Sequence, residues 1–183
     1  MISVTRADGL YEVTVTESCK APAYMVYDLL ADLRSHMEWG GRRVPVSGQR
    51  LTSIQAPDGL ATAGVEFDSV GATASGEWHD HSRLTISDRP QEFEFVTKGT
   101  LEYRPGRAPI RATSIHHYDI ESNPEGCTVV YQLHLTQFEG IGAGGDFPHP
   151  AVFFNVVVPW NLERGVRNLI AVAEERHAAA EAS

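Results

Sequence analysis

Cysteine is scarce in this chain of 183 residues, with Cys19 and Cys127 the only two. Two thiols cannot build a disulfide framework, and they lack the close spacing of a zinc site, so buried reduced side chains are expected. Long apolar runs are missing as well. No stretch approaches the ~20 residues that cross a bilayer as a helix. The start, Met1-Ile2-Ser3-Val4-Thr5-Arg6, has no basic segment leading into an apolar one. A cytoplasmic protein without a membrane span is therefore expected. Positive charge is in deficit: 15 Lys and Arg stand against 24 Asp and Glu, for a formal charge of -9. No basic cluster offsets this, which argues against nucleic acid as a partner and for a neutral or apolar one. Repeats and low-complexity blocks are absent apart from Ala178-Ala179-Ala180, which reads as a fraying helix end.

What the chain does have is enough apolar material for one core. Hydrophobic residues make up 42% and charged residues 21%, which places it among globular proteins, and its length fits one domain over residues 1–183. From Leu10 to Cys19, Tyr11, Val13 and Val15 alternate with Glu12, Thr14 and Thr16, the period of a half-buried strand. Helical spacing follows Pro22, with Val26, Leu29, Leu30, Leu33 and Met37 on one stripe. Gly40-Gly41 is expected to stop it, and Asp32 to cap a second short helix, giving a bent pair.

Strand periodicity returns after Ser47, with turns at Asp58-Gly59 and Asn123-Pro124-Glu125-Gly126. Trp78, Leu84 and Ile86 oppose Glu77, His79, His81 and Arg83. Phe93, Phe95, Leu101 and Tyr103 oppose Glu92, Glu94, Lys98 and Glu102. Tyr118 and Ile120 oppose His117 and Asp119, and Val129, Tyr131, Leu133 and Leu135 oppose Thr128, Gln132 and His134. Such alternation describes an antiparallel sheet with one wet and one covered face. The cover is an amphipathic helix from Pro159 to about His177, its apolar stripe built from Leu162, Val166, Leu169, Ile170 and Ala173.

This order of elements resembles the START/Bet v 1-like superfamily, which includes polyketide cyclases and dehydrases. Ala21-Pro22-Ala23 followed by Val26 to Asp32 and Trp39 resembles its helix-pair segment, and His116 to Ile120 with Glu125 to Tyr131 resembles its last hairpin. The likeness spans roughly residues 11 to 177. It implies an α+β helix-grip fold: a curved antiparallel sheet of about seven strands around a long C-terminal helix, with two short helices after strand 1. A cavity between sheet and helix is implied too, suited to a hydrophobic ligand such as a polyketide or lipid; separately, no cofactor is expected, and the chain is expected to be a monomer or homodimer. The resemblance carries over no diagnostic catalytic set.

On the covered face, parity leaves Asp80, Ser82, Thr97, Ser114 and His116 as polar exceptions. A turn at Asp88-Arg89-Pro90-Gln91 sets Ser87 opposite Glu92, hence Asp80 opposite Gly99 and Ser82 opposite Thr97. His116 is then expected beside Lys98 or its neighbours, two strands from Asp80 and ~10 Å away between backbones. Gly99 between them leaves room for a carboxylate and an imidazole to converge on a ligand or on each other. Such a pair suits proton abstraction next to a carbonyl or loss of water, the steps of polyketide cyclisation and dehydration. The plainer reading is a hydrogen-bonded polar network inside the barrel mouth. Trp78, Phe95, Tyr103, Tyr118 and Tyr131 are the aromatic candidates for the ligand wall, the tyrosine hydroxyls needing partners when buried.

Other features carry less. His79 and His81 share a strand face at a chelating spacing with His117 further across, but on the wet side, so solvated histidines and no bound metal are expected. Gly140, Gly142 and Gly145 spell a dinucleotide fingerprint without the following helix, and read better as a hinge for a lid carrying Phe138, Phe147, Phe153 and Phe154. Arg34 and Arg111 are either mouth residues or ordinary surface arginines. Trp39 is expected to pack the helix-pair corner. Gly165 either permits close approach of sheet or ligand to the long helix or is a harmless imperfection. In the resembled fold the strands of Cys19 and Cys127 are neighbours, which places the two thiols close without requiring a bond.

Overall fold

Strand-forming β-branched and aromatic residues dominate the middle of the chain and helix formers its end, and the structure follows that division. The computed structural model describes residues 1–7, 10–44, 48–73, 76–103, 109–139 and 153–183. Strands β1 (Ile2–Ala7) and β2 (Leu10–Cys19) precede helix α1 (Ala23–Ala31), a 3₁₀ turn (Leu33–Ser35) and a π-helical turn (Met37–Arg42). Then come β3 (Arg50–Gln55), β4 (Glu66–Ala72), β5 (Gly76–Asp88), β6 (Glu92–Tyr103), β7 (Ile110–Asn123) and β8 (Gly126–Glu139). A second π-helical turn (Phe153–Val157) leads into α2 (Val158–Glu181).

The expected pair of short helices is thus one regular helix and two irregular turns. Pro22 directly precedes α1, and Asp32 stands at the start of the 3₁₀ turn without making a side-chain cap. Gly40 and Gly41 lie inside the π-helical turn instead of ending it. A Cβ on Gly41 would stand 2.8 Å from the Leu51 carbonyl oxygen, so glycine is what lets β3 close against this turn.

All eight strands form one antiparallel sheet in the order β1-β2-β8-β7-β6-β5-β4-β3. The expected count of about seven missed β1, which extends the edge by pairing Ile2 to Ala7 with Val15 to Leu10. Asp80 pairs with Gly99 and Ser82 with Thr97, as the hairpin arithmetic requires. The turn itself is one residue off, because Asp88 faces Glu92 and Ser87 faces Phe93. A bulge between Leu84 and Ile86 absorbs the difference and reverses parity beyond it. Ile86, expected on the covered face, therefore shares the outer face with its partner Glu94, and Ser87 turns inward to bond the Ala63 amide.

Val13, Val15, Leu29, Leu30, Phe93, Val129 and Leu169 are almost completely buried, and each contributes roughly 1.5–3 kcal/mol by leaving water. The α2 stripe meets this core through Val166, Leu169, Ile170, Val172 and Ala173, while Arg167 reaches outward to Glu17 and Glu163. Cys19 and Cys127 are directly opposed on β2 and β8, both buried and unbonded, with their sulfurs in hydrogen-bond contact. Helix α1 seals β6 to β8 at one end of the covered face, and toward the other end sheet and α2 separate and leave a hollow.

Candidate functional site

The hollow consists of two adjoining lobes, each of about 250 Å³. Trp78, Asp80, Thr97, His116, Asn161 and Leu162 line both. The first lobe adds Ser82, Phe95, Tyr118 and Tyr131 from the sheet, His36 and Trp39 from the turns after α1, and Gly165 and Val166 from α2. The second adds Gly99, Ser114, Leu133, Leu135 and Phe138. Every residue singled out above as a site candidate lines one lobe or the other except Tyr103, whose backbone ends β6 opposite Gly76 and whose side chain lies outside the described residues. The glycine hinge 140–145, Phe147 and the Phe153 side chain fall outside them as well.

Inside the hollow the polar side chains largely satisfy one another. Ser82 Oγ and Thr97 Oγ1 are 2.8 Å apart. His116 is held at both ring nitrogens, Nε2 at 2.9 Å from Ser114 Oγ and Nδ1 at 2.8 Å from the Tyr131 hydroxyl. Its ring stacks on Phe95 with centroids 4.6 Å apart and planes 6° from parallel. Burial, with His36 nearby, pushes the His116 pKa down to about 4, so the imidazole is neutral in ordinary buffer. Burial raises Tyr118 and Tyr131 above the usual phenol range, which keeps both hydroxyls protonated.

Asp80 is different. Burial lifts its carboxyl to about 7, against the Trp78 indole, which donates a hydrogen bond to it. Gly99 makes the place for this group: a Cβ there would stand 2.5 Å from Asp80 Oδ1. Gly71 does the same for Trp78, whose ring lies where a side chain at 71 would begin. The space above Gly99 is thus filled by Asp80 and is not an open meeting point. His116 pairs with Phe95, three residues beyond Lys98, while Asp80 is level with Gly99 and Ala112. Two strand spacings across and four residues along put their backbones roughly 16 Å apart. The expected convergence of Asp80 and His116 on each other is therefore corrected; they face one hollow from separate stations.

Several lining residues escaped the sequence reading. His36, three residues after Leu33 and so on the same apolar stripe, is buried with Nε2 donating to the Leu30 carbonyl at 2.8 Å. Its pKa is pushed down to about 4 by burial. Arg50 and Asn161 gave no periodic signal, because one opens an irregular strand and the other lies on a helix flank. Trp39 packs against His36 at 4.7 Å, as a corner residue would, yet it also faces the hollow. Nothing stands within 4 Å of where a Cβ on Gly165 would project, so that glycine opens space in the first lobe. Arg34 ion-pairs with Asp58 at the surface, and Arg111 is exposed. On the outer sheet face His79 sits by Glu77, His81 by Asp68, and His117 among Glu92, Glu94 and Asp119. No group of three donors with metal-binding geometry occurs among the described residues.

No family model matches the chain, and no curated protein matches it in sequence. Solved structures do match. An uncharacterised protein from Rhizobium leguminosarum superposes with a TM-score of 0.63 over 96% of this chain and 99% of its own, at 14% identity. Protein SA2116 from Staphylococcus aureus gives 0.59 over 91% and 95%, at 11% identity. Ara h 8.0201, a Bet v 1 allergen, gives 0.55 over 93% and 99%, at 10% identity. The fold is Bet v 1-like. The helix-grip architecture, with α2 held against the antiparallel sheet, is common to these chains. A Bet v 1-like scaffold at such identities fixes the architecture alone, so the chemistry has to come from the hollow itself. No described helix is long and apolar enough to cross a membrane.

Proposed function

We propose that this chain binds a hydrophobic small molecule, of polyketide or lipid character, in the two-lobed hollow. The observation that carries the reading is the pairing of the interior polar groups: Ser82 with Thr97, and Ser114 with His116 and Tyr131. With those groups turned to each other, the surface left for a ligand is Phe67, Trp78, Phe95, Leu133, Leu135 and Leu162, an apolar wall with few polar points, which is what a small-molecule site requires. Titration with the neutral fluorophore N-phenyl-1-naphthylamine is expected to give saturable, blue-shifted emission, and native mass spectrometry to show one bound molecule per chain. A linear, unsaturable response without a bound species would sink the reading.

A second reading, acid–base chemistry of the cyclase or dehydrase kind, is favoured by one observation, the Asp80 carboxyl held at about 7. A group that exchanges its proton near neutrality inside an apolar site is suited to take one from a carbon next to a carbonyl. His116 is the weaker candidate, since both its nitrogens are occupied and its basicity is low. The probe is α-tetralone in deuterated buffer: faster exchange of its α-protons than in buffer alone, abolished by Asp80→Asn, supports catalysis. Binding without faster exchange leaves a non-catalytic role, the binding or carriage of a lipid or other hydrophobic metabolite.

A further inference from the structure

Three buried polar atoms among the described residues have no hydrogen-bond partner: Trp39 Nε1, Arg50 Nε and Asn161 Oδ1. They come from three separate elements, the π-helical turn, β3 and α2, and all three residues line the first lobe. Buried polar atoms without partners are rare in folded proteins, and three in one hollow call for a common cause. Two of them are donors, one on a cation, and the third is an acceptor. Arg50 has no carboxylate partner among the described residues, unlike Arg34, Arg43, Arg89, Arg167 and Arg176, each of which is ion-paired.

We propose that the first lobe receives the carboxylate of an otherwise apolar ligand, with Arg50 and the Trp39 indole N–H as donors and Asn161 Oδ1 accepting from a ligand hydroxyl. The inference rests on the cavity reading above and narrows it from hydrophobic molecules to hydrophobic acids. An N–H on a desolvated guanidinium gains most from an anion, and an indole N–H adds a neutral donor of fixed direction. Asn161 is oriented from behind, its Nδ2 donating to Gln49 Oε1 at 3.4 Å, which leaves Oδ1 toward the lobe. Arg164, stacked over Trp160 at 4.3 Å, lines the same lobe and adds positive potential. The opposing charge in the hollow is Asp80, which keeps its proton below about 7, while His36 and His116 stay neutral above about 4. At pH 6 the interior therefore carries little negative charge of its own.

The test compares 2-naphthoate with 2-methylnaphthalene at pH 6 by calorimetry. Apolar bulk is nearly equal, so burial alone would favour the neutral compound, because an ionised carboxylate loses hydration. The expected result is that 2-naphthoate binds about 10-fold more tightly or better, the return of a charge-assisted hydrogen bond. Arg50→Met and, independently, Trp39→Phe are expected to erase most of that preference, weakening 2-naphthoate about 10-fold more than they weaken 2-methylnaphthalene. Preference for the neutral compound in the parent, or equal loss for both ligands in both variants, overturns the carboxylate site while the cavity stands. If neither compound binds the parent, the cavity reading falls, and this inference with it.

Discussion

The missing Cβ at position 99 and the missing Cβ at position 71 together determine what Asp80 can do. The first lets the carboxyl fold over β6, and the second seats the Trp78 ring whose N–H reaches it. The result is an acid whose folded-state pKa is about 7 against an ordinary 3.8. Between those values the folded chain holds a proton that the unfolded chain has released, so this group makes stability fall as pH rises through the window. In Asp80→Asn that contribution is gone. The variant is expected to gain on the parent by on the order of 2 kcal/mol between pH 4.5 and pH 8, after allowing for relaxation around a partly buried group. Urea midpoints at the two pH values give the difference directly. A gap between variant and parent that does not widen with pH would show that Asp80 titrates normally. None of this was visible in the alternation of β5, which says that position 80 faces inward but not that its neighbour has vacated the space above it.

Helix α2 both closes the core and walls the hollow, and Gly165 lies where the two duties meet. Within a helix interior glycine costs ~1 kcal/mol relative to alanine, yet here it keeps free the space into which a side chain would project. Gly165→Leu is expected to hold or slightly raise the melting temperature while weakening N-phenyl-1-naphthylamine binding about 10-fold or more, as methylenes occupy ligand space. Unchanged binding in a folded variant would place the ligand elsewhere. The amphipathic stripe of α2 was legible because its spacing repeats over several turns. The bulge between Leu84 and Ile86 was not, since a single inserted residue leaves no periodic trace. It nevertheless decides that Ile86 faces out and Ser87 faces in.

Across the whole molecule the hollow sets the pH range of stability. His36 and His116, both held down to about 4 from an ordinary 6.5, must stay neutral in the folded chain and take up protons on unfolding. Stability therefore falls as pH drops from about 6.5 to 4, and two imidazoles outweigh the opposing carboxyl of Asp80 over that range. The urea midpoint of the parent is expected to fall from pH 7 to pH 4.5. A rise would contradict the burial of the two rings. The sequence by itself determined the strand parity of β6 to β8 and of β5 as far as Leu84, the α2 stripe and the inward set Asp80, Ser82, Thr97, Ser114 and His116. It could do so because those are local periodicities of 2 and 3.6 residues written into consecutive positions. Only the tertiary structure decided that Asp80 and His116 stand apart, that β1 extends the sheet, and that Trp39, Arg50 and Asn161 all line the first lobe of the hollow. Such placements depend on register, bulges and the seating of a helix on a sheet, which bring Arg50 and Asn161 to one lobe across more than a hundred positions and leave no mark in local sequence.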